Sequence, residues 1–150
     1  MTVPIRQIAE VALVVTDLER SVHFYHEVLG LAIWERQHDH ATLRLGNGFV
    51  GLWLPGAWTL PAADGAPPLR LTGGCRQHFN FYIDKRDGAA ALANLQAHGV
   101  AYYGPRYNER GELHLDFEDP DGHLLEYWGR ESFDPPPDKE RTAKGSSDTP

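Results

Sequence analysis

The chain has 150 residues and a formal net charge of -7, with a sequence pI near 5.5. This length is typical of one domain that buries its core without disulfides or a structural metal. The acidic charge argues against nucleic acid, because nonspecific nucleic-acid binding depends on clustered Lys and Arg. A single cysteine, no signal-peptide pattern and no run near the ~18 apolar residues of a membrane span predict a cytoplasmic protein without a membrane partner.

The first half predicts a strand, a helix and three further strands. Apolar residues alternate over about 5–15, which predicts a strand that leaves Glu10 on its polar face. Thr16 and Glu19 fit a capping box at the start of a helix over about 18–29, and a glycine follows as its stop. Three short strands are predicted next, over about 32–37, 41–45 and 49–54.

The second half repeats this pattern after a linker over about 57–75 that is rich in proline and glycine. A strand over about 77–83 opens with His78, and Asp84 is the predicted N-cap of a helix over about 89–98. Three more short strands are predicted near 101–104, 112–118 and 123–128.

The repetition predicts an α+β fold of two paired βαβββ modules, which form a cupped mixed sheet with helices on the convex face. Module one covers about 4–56 and module two about 76–130, within one domain over 1–130. Residues 131–150 are polar and contain a proline run, so they are predicted to be a tail without its own core.

Glu126 is a carboxylate in the middle of an apolar strand, where it needs a proton, a pairing partner or a cation. If the strand faces of the two modules meet, Glu10, His78 and Glu126 converge from three strands. One imidazole and two carboxylates form a mixed nitrogen and oxygen set that suits one divalent metal ion: Mn, Fe, Co, Ni or Zn. These residues are the predicted metal ligands.

Other polar residues share the predicted cavity face. His114 and Asp116 point to it if the intervening apolar residues pack under the helices, and Tyr82 follows His78 on the same face. A residue that transfers a proton must lie within hydrogen-bond range of the substrate. Asp116, His114 and Tyr82 are therefore the candidate catalytic residues, and the sequence does not choose among them.

Several segments in this order resemble one known family. The matching stretches are Val11–Ser21, Phe24–Tyr25, Val28–Leu31, His78–Asp84 and Asp119–Glu126. The chain resembles the vicinal oxygen chelate superfamily, which is the glyoxalase, bleomycin resistance protein and extradiol dioxygenase group. The resemblance implies paired βαβββ modules, a homodimer, and a divalent metal that chelates two neighbouring oxygens of a small-molecule substrate.

The resemblance carries over to the predicted ligands position by position. His78 matches the family ligand that opens the second module, and Glu126 matches the ligand on the last strand. The first-strand ligand of the family is usually His, whereas this chain has Glu10. A carboxylate is also a metal ligand, so the substitution changes the ligand set without removing it.

Some members of the family have a fourth ligand on the last strand of the first module. Aligning Gly48 with Gly122 puts Leu52 in the position that corresponds to Glu126. Leucine does not bind a metal, so a four-ligand glyoxalase I site is not expected.

The resemblance favours glyoxalase-like lyase or isomerase chemistry. An extradiol-type dioxygenase is less favoured, because one His with two carboxylates departs from the two-His-one-carboxylate iron site. A fosfomycin-modifying thiol transferase is an alternative, since 24–27, 122–126 and Arg106 resemble that branch, although Ala12 lacks the hydroxyl expected there. The alternative from another class is a metal-free drug-binding protein of the bleomycin resistance type.

Overall fold

The computed structural model describes residues 7–57, 59–60, 69–70 and 73–131 of the 150-residue chain. The first half contains β1 (Glu10–Val14), α1 (Leu18–His23), a π-helical turn (Phe24–Val28), β2 (Ile33–Arg36), β3 (His40–Leu45) and β4 (Gly48–Trp53). The short strands β5 (Thr59–Leu60) and β6 (Leu69–Arg70) follow. The second half contains β7 (His78–Asp84), a 3-10 turn (Lys85–Asp87), α2 (Gly88–Ala97), β8 (Tyr102–Tyr107), β9 (Leu113–Glu118) and β10 (Leu124–Arg130).

The two halves form four-stranded sheets of the same topology. Their strand orders are β1-β4-β3-β2 and β7-β10-β9-β8. In each sheet the first strand pairs in parallel with the last, and the other pairs are antiparallel. The prediction of an α+β fold with two βαβββ modules is confirmed, and the strands that begin with Glu10 and His78 occupy equivalent edges.

The core lies between the helices and one face of each sheet. Alternate strand residues face it, as expected for sheets with one covered face. The most deeply buried side chains come from both sheets and both helical segments: Leu13, Val15, Tyr25, Ala41, Leu43, Val50, Leu52, Leu95, Leu115, Phe117 and Leu125. The opposite face of each sheet therefore carries the polar side chains that the sequence singled out.

The first helix begins differently from its prediction. Its N-cap is Asp17, whose carboxylate accepts a hydrogen bond from the backbone N–H of Arg20 at 3.0 Å. Thr16 is not the cap, because its hydroxyl and its backbone N–H both donate to Asp121 of the second module. The helix continues through the π-helical turn and ends at Gly30, whose φ of 77° is the predicted left-handed stop.

The turn after β9 joins the two modules. The buried carboxylate of Asp119 accepts a hydrogen bond from the hydroxyl of Tyr25 at 2.9 Å. His123 lies with its Nε2 3.3 Å from the carbonyl oxygen of Val14. Burial and the neighbouring Asp119 raise the pKa of Tyr25 well above its ordinary value. This turn, residues 119–123 between β9 and β10, is hereafter called the seam.

Asp121 gives the seam a pH dependence. Burial raises the pKa of Asp121, but hydrogen bonds from Thr16 and Ser21 and the charge of Arg20 outweigh that effect and lower it below the ordinary value of 3.8. A depressed carboxyl pKa stabilises the fold above the unfolded value, and the contribution is lost as the pH falls through the folded value. Replacing Asp121 by Asn should therefore reduce the loss of unfolding free energy between about pH 6 and about pH 3.

The measurement is urea unfolding at several pH values, with Asp87→Asn as the control, because the side chain of Asp87 caps no backbone N–H. An acid limb of Asp121→Asn as steep as that of wild type would contradict the assignment.

The linker differs from its prediction, because β5 and β6 pair in antiparallel fashion within it, with Thr59 opposite Arg70. The other linker residues from 61 to 68 and the predicted tail beyond 131 lie outside the described residues. In the ranges that the structure describes, the helices are all too short or too polar to cross a membrane.

Candidate functional site

The polar face of the second sheet brings together most of the predicted site residues. Glu126 lies on the inner strand β10, directly between Asn80 on β7 and Asp116 on β9. One step along the same face, Tyr82 and His114 flank Trp128, and one step the other way His78 flanks Leu124. The alternation of apolar residues predicted that five site residues share one face of the second sheet. The strand registers place all five on that face: Tyr82, His78, His114, Asp116 and Glu126.

His78 and Glu126 face each other from the neighbouring strands β7 and β10. The Nε2 of His78 lies 3.7 Å from Oε2 of Glu126. The other ring nitrogen, Nδ1, lies 3.1 Å from the carbonyl oxygen of Leu124. A carbonyl oxygen only accepts a hydrogen bond, so Nδ1 must carry a proton. In the neutral ring, Nε2 then carries a lone pair, and this lone pair faces a carboxylate. Two electron-rich atoms in this arrangement need a proton or a metal cation between them.

The Glu126 carboxylate is held by hydrogen-bond donors from both neighbouring strands. It is 6% exposed. Asn80 donates to Oε2 at 3.0 Å, and Nδ1 of His114 hydrogen-bonds Oε1. These contacts satisfy part of the hydrogen-bonding capacity of the carboxylate and fix the oxygen that faces His78.

The three candidate proton-transfer residues differ in what they contact. Asp116 forms an ion pair with Arg106 of β8. Both ring nitrogens of His114 have partners, Glu126 and Asn108. Tyr82 is 47% exposed and packs against Trp128 with ring centroids 5.2 Å apart.

A cavity of about 640 Å³ lies between the edges of β1 and β7. Among the described residues, its lining is apolar, aromatic or amide: Gln7, Ile8, Val11, Leu45, Asn47, Gly48, Phe49, Phe79, Asn80, Tyr82 and Trp128. Because Asn80 also donates to Glu126, the cavity adjoins the carboxylate. It offers a substrate an uncharged, aromatic wall.

Glu10 lies on the first sheet, away from this pair. A Cβ built on Gly51 would meet Oε1 of Glu10 at 2.1 Å and the indole nitrogen of Trp53 at 2.5 Å, so the carboxylate rests over the glycine. Within 7–57 and the other described ranges, no three His, Cys, Asp or Glu side chains lie close enough to hold a metal ion. One chain thus brings His78 and Glu126 together without Glu10, and the three-ligand set stays a prediction.

The strand registers show which residue of the first sheet corresponds to Glu126. Glu10 pairs with Phe49 as His78 pairs with Leu124. Two residues further along the last strand of each module, Gly51 occupies the position that Glu126 occupies in the second module.

The alignment that made Leu52 the equivalent of Glu126 is therefore wrong by one residue. Aligning Gly48 with Gly122 shifts the strand by one position, and such a shift moves every side chain to the other face. Leu52 is fully buried in the core. Glycine provides no metal ligand either, so a fourth ligand from this position is still not expected.

Side chains of Glu10 and Trp53 crowd the space over Gly51, so a larger residue at this position should destabilise the fold. Replacing Gly51 by Ala should lower the free energy of unfolding by about 1–3 kcal/mol through overpacking. The Glu10 side chain can move aside, but the Trp53 indole stacks on His40 with ring centroids 4.3 Å apart and must shift as a rigid unit. Urea unfolding measures the loss.

The double variant Glu10→Ala with Gly51→Ala separates the two clashes. It should recover only the part due to Glu10. Wild-type stability of the single Gly51→Ala variant would contradict this packing.

One polar residue that the sequence did not single out is Asn108, at the start of the turn between β8 and β9. Its amide contacts both His114 and Glu112. Asn followed closely by Gly111 is a turn signal, but the contact to His114 follows only from the strand pairing.

The chain matches the family model described as the Glyoxalase/Bleomycin resistance protein/Dioxygenase superfamily over residues 7–127. It is 30% identical over 122 residues to glutathione transferase FosA of Serratia marcescens, covering 81% of this chain and 79% of that protein. The structure of lactoylglutathione lyase from Agrobacterium tumefaciens matches with a TM-score of 0.73 and 23% identity, over 85% of this chain and 96% of the other. The fosfomycin resistance protein FosX from Mesorhizobium loti matches with a TM-score of 0.61 and 19% identity, over 85% and 94% of the two chains. At these identities the two structures support the fold alone.

Proposed function

The chain belongs to the glyoxalase, bleomycin resistance protein and dioxygenase superfamily, and we propose that it is a divalent-metal-dependent enzyme that acts on a small substrate with two neighbouring oxygens. Superfamily members typically use a divalent metal. The observation that carries the proposal is Nε2 of His78, which lies 3.7 Å from the buried carboxylate of Glu126 while the other ring nitrogen is held by a backbone carbonyl. A histidine metal ligand is usually held in this way.

The residues present fit a divalent metal of the Mn, Fe, Co, Ni or Zn group. His78 and Glu126 would hold it through one nitrogen and one carboxylate oxygen. Within one chain, Glu10 lies on a different sheet from His78 and Glu126. We therefore include a homodimer in the proposal, in which Glu10 of the partner subunit completes the ligand set.

When bound, the metal supplies Lewis-acid polarisation of a substrate oxygen. The chain's own residues then position the substrate and move its proton. Among the described residues, neither Asp116 nor His114 lines the cavity. Tyr82 lines the cavity beside Asn80, so it is the candidate that a substrate proton meets first.

Glyoxalase-like lyase or isomerase chemistry is the reaction class we favour. One imidazole with two carboxylates departs from the two-His-one-carboxylate iron site of dioxygenases, which makes extradiol ring cleavage the weaker alternative. A cytoplasmic location is part of the same proposal, as expected for a chain with a single cysteine.

The second candidate is a thiol transferase that modifies fosfomycin. It is favoured by the 30% identity to glutathione transferase FosA and by Arg106, whose mostly exposed guanidinium is a partner for a phosphonate. The uncharged lining of the described cavity and Ala12 in place of a hydroxyl residue count against it.

The experiment is metal analysis of protein purified without chelator, followed by titration with Mn²⁺, Co²⁺, Ni²⁺ and Zn²⁺. Binding of about one ion per chain supports the proposal. A protein that neither contains nor takes up a divalent metal would instead be a metal-free binder of drugs, for which the net charge of -7 suits a cationic ligand.

Turnover then separates the reaction classes. The panel is a 2-oxoaldehyde thiol adduct, fosfomycin with a thiol, and a catechol. Metal-dependent isomerisation of the first substrate is the expected result, and turnover of fosfomycin alone would move the assignment to the second candidate.

A further inference from the structure

His114 contacts the carboxylate oxygen of Glu126 that does not face His78. Nδ1 of His114 hydrogen-bonds Oε1 of Glu126, while Oε2 accepts from Asn80 and faces His78. A carboxylate only accepts, so His114 must present an N–H on Nδ1. The neutral ring does so in only one of its two tautomers.

Asn108 selects that tautomer. Its Oδ1 accepts from the backbone N–H groups of Arg110 and Glu112, both at 3.0 Å. These two donors fix which end of the amide is oxygen and leave Nδ2 to point at its other neighbours. The Nδ2 group has two hydrogens, one for Glu112 Oε2 at 2.7 Å and one for His114 Nε2 at 3.3 Å. Nε2 of His114 therefore accepts, and Nδ1 donates.

The turn between β8 and β9 is thus connected to Glu126 by one continuous chain of hydrogen bonds. We infer that His114 is a positioning residue that aims Glu126 at His78, and that Asn108 sets its tautomer from the turn. This inference rests on the proposed function, because the aimed carboxylate is a proposed metal ligand. It also explains why His114 has no free lone pair for a substrate proton.

Metal affinity is the first readout. Replacing His114 by Leu removes the donor to Glu126 and should weaken Mn²⁺ binding about 10- to 100-fold, the cost typical of losing an outer-shell partner. Replacing His114 by Asn places an amide N–H close to the Nδ1 position and should restore most of the affinity. His23→Leu is the matched control, because His23 is exposed on α1.

The tautomer of His114 is the second readout and needs no metal. Two-bond ¹⁵N–¹H spectra should show the proton on Nδ1, with Nε2 as an acceptor, in the wild type. Replacing Asn108 by Asp keeps an acceptor for the turn and puts a carboxylate oxygen beside Nε2, so Nε2 should carry a proton in that variant while Nδ1 still donates to Glu126.

The outcomes distinguish this inference from the proposed function. If wild type binds no divalent metal, the proposed function fails, and the tautomer spectra still decide the role of Asn108. If wild type binds metal and His114→Leu binds equally well, or if the His114 proton lies on Nε2 in the wild type, the positioning role is refuted. Circular dichroism and thermal melts identify a variant that fails to fold, in which case the wild-type spectrum decides.

Discussion

Replacing Glu126 by Gln is expected to lower the affinity for Mn²⁺ by more than about 100-fold, because losing an outer-shell partner alone costs about 10- to 100-fold. Gln keeps the shape of the side chain but removes the charge and one acceptor. The carboxylate it replaces is buried and faces the His78 lone pair at 3.7 Å. Calorimetric titration of the metal-free protein measures the loss.

Stability separates a metal ligand from a structural carboxylate at this position. Glu126 contacts no Arg or Lys among the described residues, and its hydrogen-bond donors are Asn80 and His114. Removing a buried charge offsets the lost hydrogen bonds, so the metal-free Glu126→Gln protein should melt within a few degrees of wild type. A large loss of stability with unchanged metal affinity would assign Glu126 a purely structural role.

His78→Ala is the companion variant. His78 is half-exposed, and its hydrogen bond goes to a backbone carbonyl, so its removal should cost little stability. It should nevertheless weaken metal binding as strongly as Glu126→Gln. Retained affinity in His78→Ala would refute its assignment as a ligand.

The repetition of one strand and helix pattern predicted the fold, and the alternation of apolar residues predicted the face of the site residues in the second module. Apolar side chains that alternate on β9 and β10 have to pack under the helices, which leaves His114, Asp116 and Glu126 on the other face. The alignment of Gly48 with Gly122 failed for Leu52, because a glycine match in a turn fixes the register less firmly than strand pairing. A one-residue error in register exchanged the core face for the polar face.

The pattern of apolar and polar residues did not predict contacts between distant elements. Thr16 has the residue type and position of an N-cap, yet it bonds Asp121 of the other module and leaves the cap to Asp17. Asn108 looks like an ordinary turn residue until the pairing of β8 with β9 places it beside His114. Glu10 shares a strand position with His78 but lies on a different sheet, and sequence alone does not say which sheets meet.

The seam shows the largest expected effect on stability. Asp119 is 5% exposed and accepts hydrogen bonds from the Tyr25 hydroxyl at 2.9 Å, the Asp121 N–H at 2.9 Å and the His123 N–H at 2.8 Å. Replacing it by Ala leaves three donors without an acceptor, at about 1–3 kcal/mol each when buried. Asp119→Ala should therefore lose about 3 kcal/mol or more of unfolding free energy.

Two variants calibrate that loss in urea unfolding at neutral pH. Tyr25→Phe removes one of the three donors and should cost about 1 kcal/mol. Asp17→Ala removes an exposed helix cap, which typically costs about 1 kcal/mol, without touching the contact between modules. Because the seam joins the two sheets, Asp119→Ala should also broaden the transition as the modules unfold less cooperatively. A loss no greater than that of Asp17→Ala would show that the modules are held together mainly by their apolar core.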